Sequence, residues 1–430
     1  MNTALVLFGS FFLLLFLNVP ISVSLAVSSI LTIMASPLPM SMLSLVATNL
    51  YTASNKYVLL AIPFFILGGN IMDVSGISTR LIDFFRSLVG HTKHGLAMVC
   101  VIVACFFAAI SGSGPATVAA LGAILIPAMT NTGYEKSTSA ALMSTAGAIG
   151  IVIPPSITFV VYGSVTGTSI GSLFMSGIIP GILIGIVIYW AMKFSSRGRE
   201  LVQQPKASGK ERWASFKNAV WGLLMPVIIL GGIYGGIFTP TEAAAVSAVY
   251  GFIVGLFIYR TLKMKDIMKI LRQSVSQTAV VMFIIGCAAV FGNTLTITGV
   301  AAKASAGLIN LAGGNKYIFL LMVNIILIIA GCFIDANSAL YILCPILFPI
   351  AQKLNINPVH LGAVMVVNLA LGLITPPVGV NLFTGCGVAG IPLSEMIKKI
   401  WPFVIAVLIV LIVITYIPGI SLLLPNLMAK

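Results

Sequence analysis

Apolar residues fill this chain in long runs, and polar residues are confined to short breaks between them. A helix needs about 20 apolar residues to cross a bilayer. On that measure the pattern predicts helices over 3–17, 20–45, 57–78, 137–165, 172–193, 219–237, 242–259, 274–298, 360–388 and 401–424. Two other apolar stretches, 95–130, which is uncharged, and 317–352, run to 36 residues each, too long for one crossing and slightly short for two. Each is broken midway by small and polar residues: Ser111-Gly112-Ser113-Gly114-Pro115-Ala116-Thr117 in the first, Asp335-Ala336-Asn337-Ser338 in the second. Glycine, serine and proline so placed do not continue a helix in lipid unaided. Irregular backbone is tolerated at membrane depth only inside protein or against a watery cavity. Both stretches are therefore expected to be re-entrant hairpins with their tips at a site.

The pattern also repeats. Pro154-Pro155 lies 222 residues before Pro376-Pro377, and at the same offset Pro127 matches Pro349, Gly150 matches Gly372 and Pro180 matches Pro402. Gly69-Asn70 and Gly76 match Gly292-Asn293 and Gly299 one residue further apart. A proline pair inside an apolar helix leaves carbonyls without donors and starts a new helix beyond it. A doubled unit with interrupted helices in matching places is the mark of a secondary transporter and its binding site.

Composition fits a membrane class. Of the 430 residues 59% are hydrophobic and 7% charged, with a mean hydropathy of +1.13; soluble domains carry about 25% charge. The net charge of +14 does not indicate nucleic acid, because the basic residues sit in a few short loops. With two hairpins in the chain, 18 of the 23 Lys and Arg fall on one face, in 80–94, 133–137, 193–217, 260–272 and 389–399. Lys56, Lys303, Lys316, Lys353 and Lys430 fall on the other. The positive-inside rule makes the basic face cytoplasmic, puts both termini in the periplasm, and leaves the repeats inverted. The apolar start has no Lys or Arg before it and reads as a retained helix, not a cleaved signal. The segment 195–217 reads as a cytoplasmic linker, and 260–272 as an amphipathic helix on the membrane surface. All six cysteines lie in apolar runs and read as packing residues.

Asp335 is the sharpest single residue, an acid deep in an apolar stretch with no Lys or Arg within fifteen residues. Such a residue coordinates a cation, carries a proton, or caps a helix, and capping is compatible with either other role. At the breaks, the C-terminal end of each first half-helix offers carbonyls to a cation, and the N-terminal end of the second offers amides to an anion. Ser156, Thr158 and Thr375 add hydroxyls there and Asn381 an amide. Glu242 reads as a helix-start residue with Thr241 or Pro240, Asp73 as an interface residue, and His91 and His94 as surface residues. No nucleophile–base set, phosphate loop or dinucleotide fingerprint appears, so an enzyme reading has no support and no enzyme is expected.

The first tip (SGSGPATVAALG), the IPPS and TPPVGVN breaks, FTPTEAAA and the inverted repeat together resemble the large membrane subunit of a tripartite ATP-independent periplasmic (TRAP) transporter, over essentially the whole chain. The resemblance implies an all-α polytopic membrane protein of elevator type, like the ion-transporter superfamily, in the bacterial inner membrane. It divides the chain into 1–94 (scaffold and connecting arm), 95–170 (first half of a transport domain), 171–300 (scaffold and linker), 301–390 (second half) and 391–430 (a C-terminal scaffold helix). It implies import of an organic acid with two or more Na⁺ and no organic cofactor. One Na⁺ is expected between Ser111, Gly112, Ser113 and the first break (Pro154, Pro155, Ser156), and another between Asp335, Asn337 and Thr375, Pro376, Pro377. The substrate carboxylate is expected near Ser113, Ser156, Thr158, Asp335, Val378, Gly379 and Asn381. Implied partners are a separate four-helix small membrane subunit, since the chain starts directly at Met1-Asn2, and a periplasmic substrate-binding protein. The first 75 residues look more like members that handle sialic acid than C4-dicarboxylates. The rival readings are a C4-dicarboxylate subunit, a stand-alone sodium–dicarboxylate symporter, a proton-coupled version, and a non-transporting scaffold or sensor subunit.

Overall fold

The computed structural model describes residues 3–428, so the Met1–Asn2 start and Lys430 lie outside the described residues. The described residues form helices and no strands, and seven of the helices are long and apolar enough to cross a membrane. The chain opens with α1 (Thr3–Phe16) and α2 (Ile21–Ala35). The span expected over 20–45 stops at Ala35, because Pro37 and Pro39 follow and neither has an N–H to continue the ladder. Then come α3 (Ser44–Ser54) and α4 (Ala61–Val74). Gly76, at φ +70°, turns the chain into α5 (Ile77–Val89), an amphipathic helix where the sequence suggested a basic loop.

The first hairpin is α6 (Gly95–Ser111) and α7 (Gly114–Thr130). The first broken helix is α8 (Lys136–Ala148) and α9 (Ile157–Thr166). α10 (Ile170–Ser195) follows, then α11 (Gly209–Tyr234) and α12 (Pro240–Ile253), which continues as a π turn over Val254–Ile258. Two spans begin earlier than the apolar pattern indicated. Residues from Gly209 belong to α11, not to the linker, because Ser208 and Glu211 form a capping box. The basic run 260–272 is not a separate surface helix, because α13 (Met264–Ile297) runs unbroken for 34 residues, about 51 Å. Thr239, one residue before the expected cap, starts α12 in a capping box with Glu242. α14 (Val300–Ala312) follows Gly299 at φ +69°, the second-half counterpart of Gly76 and α5.

The second hairpin is α15 (Lys316–Phe333) and α16 (Ala336–Lys353), and the second broken helix is α17 (Pro358–Gly372) and α18 (Val380–Ala389). α19 (Leu393–Tyr416) and α20 (Pro418–Met428) close the chain as two helices, where one was expected.

The two repeats interlock. α18, the second half of one break, packs on α7 and α8 of the other repeat, and α9 packs on α16 and α17. α10 and α19, expected among the scaffold helices, pack instead on this body: α10 against α6, α8, α17 and α19, and α19 against α8 and α17. Helices α1–α4 and α11–α13 form a second body, joined by contacts such as α12 with α4 and α13 with α2 and α3. The first body's polar face is pinned at Glu135, the residue before α8. Its carboxylate takes an ion pair from Arg199 in the linker and another, at 2.9 Å, from Lys399 on α19. Burial pushes this carboxyl up, but hydrogen bonds from Lys399 and Ser137 and the charges of Lys399 and Arg199 bring it below the usual carboxylate range. His94, expected at the surface, is buried and lies 3.4 Å from the Tyr134 hydroxyl.

Close backbone approach sets the spacing where α17 meets α15 in the first body. A Cβ placed on Gly372 would lie 2.6 Å from the Cα of Gly331, so α17 and α15 touch at bare backbone. Gly372→Ala is expected to destabilise the protein by about 1–3 kcal/mol through overpacking and to lower its thermal midpoint in detergent. Gly307→Ala, where nothing lies within 4 Å, should leave the midpoint alone. Equal midpoints for both variants and the parent would refute the approach.

Candidate functional site

The first tip ties up its own loose backbone. α6 ends at Ser111, Gly112 turns the chain at φ +60°, and Ser113 is extended before α7 starts. The Ser111 hydroxyl donates to the Ser113 carbonyl at 3.1 Å and accepts the Ser113 N–H at 3.2 Å, and Thr117 Oγ1 donates to the same carbonyl at 2.8 Å. A Cβ on Gly112 would sit 2.8 Å from the Pro155 carbonyl oxygen, and one on Gly150 would sit 2.9 Å from that of Ser113. First tip and first break therefore meet backbone to backbone, with carbonyl oxygens of both at the seam.

Within the first break, Ser156 caps α9. Its hydroxyl accepts from Phe159 N–H at 3.3 Å and donates to the Ile151 carbonyl at 2.5 Å. It is fully buried, so it holds the break together and does not face a substrate. Thr158, two residues on, does reach the cavity described below.

At the second tip Asp335 caps α16. One carboxylate oxygen accepts the N–H groups of Asn337 and Ser338 at 3.0 and 3.1 Å, and the other accepts the Ser338 hydroxyl at 2.5 Å. Asn337 Oδ1 is buried without a partner. At the second break the Thr375 hydroxyl donates back to Leu371 at 2.7 Å. The Val378 N–H donates to the Cys332 carbonyl at 3.2 Å, so this amide staples the break to α15 and is not open to a carboxylate. Gly379 takes φ +54°, and the Asn381 N–H reaches back to Leu373 at 3.1 Å. The Asn381 side chain is fully buried and donates to the Ser144 carbonyl at 3.0 Å, which joins the second break to α8 of the first repeat.

A cavity of about 750 Å³ lies between the two bodies. Ser111, Gly112, Ser113, Thr158, Asp335 and Asn337 from the sequence-derived set line it. Pro154, Pro155, Ser156, Thr375, Pro376, Pro377, Val378, Gly379 and Asn381 do not. The starts of α7, α9, α16 and α18 all border the cavity, through Gly114, Ile157, Ala336 and Val380. Their dipoles present four positive ends to it. The second body contributes polar groups that the apolar pattern did not single out: Gln273, Ser276 and Gln277 on α13, beside Asn70 and Asp73 on α4. Asn70 Nδ2 donates to Ser274 Oγ and Gln277 Oε1, both at 2.9 Å, which fastens α4 to α13. The i, i+4 spacing of Gln273 and Gln277 was the available signal. Among the described residues no Lys or Arg lines the cavity, and its only ionisable side chains are Asp73 and Asp335.

A membrane cavity of this kind, flanked by paired hairpins and paired breaks, has relatives. Residues 8–420 match the family model described as the tripartite ATP-independent periplasmic transporter, DctM component. The chain belongs to this family. It is 47% identical to the C4-dicarboxylate TRAP transporter large permease protein of Pseudomonas aeruginosa, over 94% of each chain. It is 43% identical to the isethionate TRAP transporter permease protein of Oleidesulfovibrio alaskensis, over 97% of this chain and 65% of that one. Among solved structures it is similar to the Alcanivorax borkumensis YdaH transporter, with a TM-score of 0.64 and 15% identity over 88% of each chain, which shows a shared fold. The chain is thus a TRAP large membrane subunit, a multi-pass membrane transporter component and not an enzyme.

Asp335→Ala removes both the α16 cap and a cavity acid. It is expected to cut uptake to a few per cent, as is Ser113→Ala at the other tip, with the protein still inserted and monodisperse. Gly112→Ala should do the same, because the left-handed φ and the Pro155 carbonyl leave no room for a Cβ. Near-parental uptake in all three, measured in proteoliposomes, would displace the site from the tips.

Proposed function

We propose that this subunit imports a small organic anion, a C4-dicarboxylate in the first instance, together with two or more Na⁺. The observation that supports this is the absence of Lys and Arg from a cavity bordered by four helix starts and two acids. An anion entering it has no cationic side chain to meet. Helix dipoles carry part of that task, and co-bound cations at the carbonyl-rich seams carry the rest. One Na⁺ lies at the seam of Ser111–Ser113 with Pro155. The other lies near Asp335 and the unpartnered Asn337 Oδ1. Binding of the ions closes the tips and shapes the pocket for the carboxylate. Each net positive charge carried inward gains about 2.3 kcal/mol per 100 mV of membrane potential, so uptake needs no ATP.

The sequence favoured sialic acid; the relatives above carry C4-dicarboxylate and isethionate in their names, and the reading moves to the smaller anion. The family, and the greater length of the isethionate relative, support a small membrane subunit and a periplasmic binding protein as partners. Taking the basic face as cytoplasmic, both termini are periplasmic. The cavity then opens inward, since it is lined by Asp73 near the end of α4, before the basic stretch 80–94, and by Gln273, directly after the basic run 260–272. The body with the hairpins would move as an elevator against α1–α4 and α11–α13.

The test is uptake in proteoliposomes with both partner proteins present. Succinate should accumulate with an inward Na⁺ gradient and stop when choline replaces Na⁺; undiminished uptake in choline would overturn the coupling. A pH gradient alone should drive nothing. Omitting the binding protein should abolish uptake, whereas unchanged uptake would point to a stand-alone symporter. Sialic acid in place of succinate tests the alternative substrate.

A further inference from the structure

A second cavity, of about 560 Å³, lies on the basic face, away from the central one. It is formed where the α5–α6 connection meets the C-terminal end of α10. Lys93, Lys193 and Arg197 line it, and no Asp or Glu does. None of the three forms an ion pair among the described residues; the ion pairs found there join Glu135 to Arg199 and Lys399. Burial and the nearby ammoniums of Lys93 and Lys193 push the buried His94 imidazole below its usual range, so the cluster already weighs on its own members. Three cations held around one concave space repel each other unless an anion joins them.

The walls identify what kind of anion. Trp190 and Phe194, on the last turns of α10, also line the cavity and are 56% and 71% exposed. Lys193 Nζ lies 4.4 Å from the centre of the Trp190 ring, so aromatic and cation form one surface. Aromatic rings of this kind sit at the level of lipid headgroups. A soluble anion would use the cations and leave the rings idle. A phospholipid uses both, with its phosphate among the cations and its glycerol and first methylenes along the rings. Basic pockets between membrane helices on this side of a bilayer take such headgroups.

We propose that this cavity binds the headgroup of an anionic phospholipid, with Lys93, Lys193 and Arg197 on the phosphate and Trp190 and Phe194 along the glycerol and upper acyl chains. The site joins the connection from α5 to the body that carries the hairpins, so an occupied site ties that connection to α10. This assignment is independent of the substrate and of sodium coupling.

The test is native mass spectrometry of the full chain, released from detergent after titration with phosphatidylglycerol, phosphatidylcholine or inorganic phosphate. Phosphatidylglycerol should bind in preference to phosphatidylcholine. The triple variant Lys93→Gln, Lys193→Gln, Arg197→Gln should lose affinity roughly a hundredfold, at about fivefold per cation. Lys265→Gln with Lys269→Gln, basic residues elsewhere on the same face, should bind as the parent does. Trp190→Ala, which keeps every charge, should weaken lipid but not phosphate. An unchanged midpoint of thermal unfolding without lipid shows that the variants are folded. If a variant unfolds early, the single exposed substitution Lys193→Gln provides the comparison. Equal affinity for both lipids, parental affinity in the variants, or displacement of the lipid by millimolar phosphate would each overturn the proposal; the last would make this a site for a soluble anion.

Discussion

Inside a bilayer no water is available to satisfy a peptide group, so every interruption of a helix must find its partners within the protein. This chain interrupts its helices four times around one cavity, and each interruption solves that problem with short side chains and facing backbone. Ser111 and Thr117 occupy the Ser113 carbonyl, Ser156 spans the first break, Asp335 takes two amides of α16, Val378 donates to Cys332 on α15, and Asn381 donates back across the second break. What the interruptions leave over is a set of helix starts and carbonyl-rich seams pointing into a shared space. That remainder is the site.

The two halves are related in sequence but not used alike. The first break lies deep, with both prolines buried and Pro155 beneath the first tip. The second lies nearer the edge, with Pro377 exposed. The first tip is built from serines and glycine and holds itself by hydroxyls; the second carries a carboxylate. Asn381 on one repeat bonds Ser144 on the other, so the second break is tied to α8 of the first repeat.

The positions of the breaks were legible in the chain because helix-breaking residues in lipid are chemically conspicuous. The hairpins, the proline pairs and the cavity-lining residues Ser111, Ser113, Thr158, Asp335 and Asn337 were all named from residue type and spacing. Less visible were helices whose interruption or extension depends on polar residues. α5 and α14 were hidden because an amphipathic helix at an interface looks like a loop when scanned for apolar length. The start of α13 was hidden because its first turns carry the basic residues of the run before it.

The sequence by itself determined the class, the repeat and the places where the backbone opens, because those follow from which residues can stay helical in hydrocarbon. The tertiary structure alone decided which of the opened groups face the cavity. Ser156 has the right chemistry for a ligand but is spent within its own break, the Val378 N–H is taken by Cys332 on α15, and the Asn381 Nδ2 is taken by Ser144 on α8. Asn70, Gln273 and Gln277 enter the wall only because α4 and α13 pack beside the tips. Whether a polar group is spent or spare depends on what stands within 3 Å of it, and only folding sets that distance.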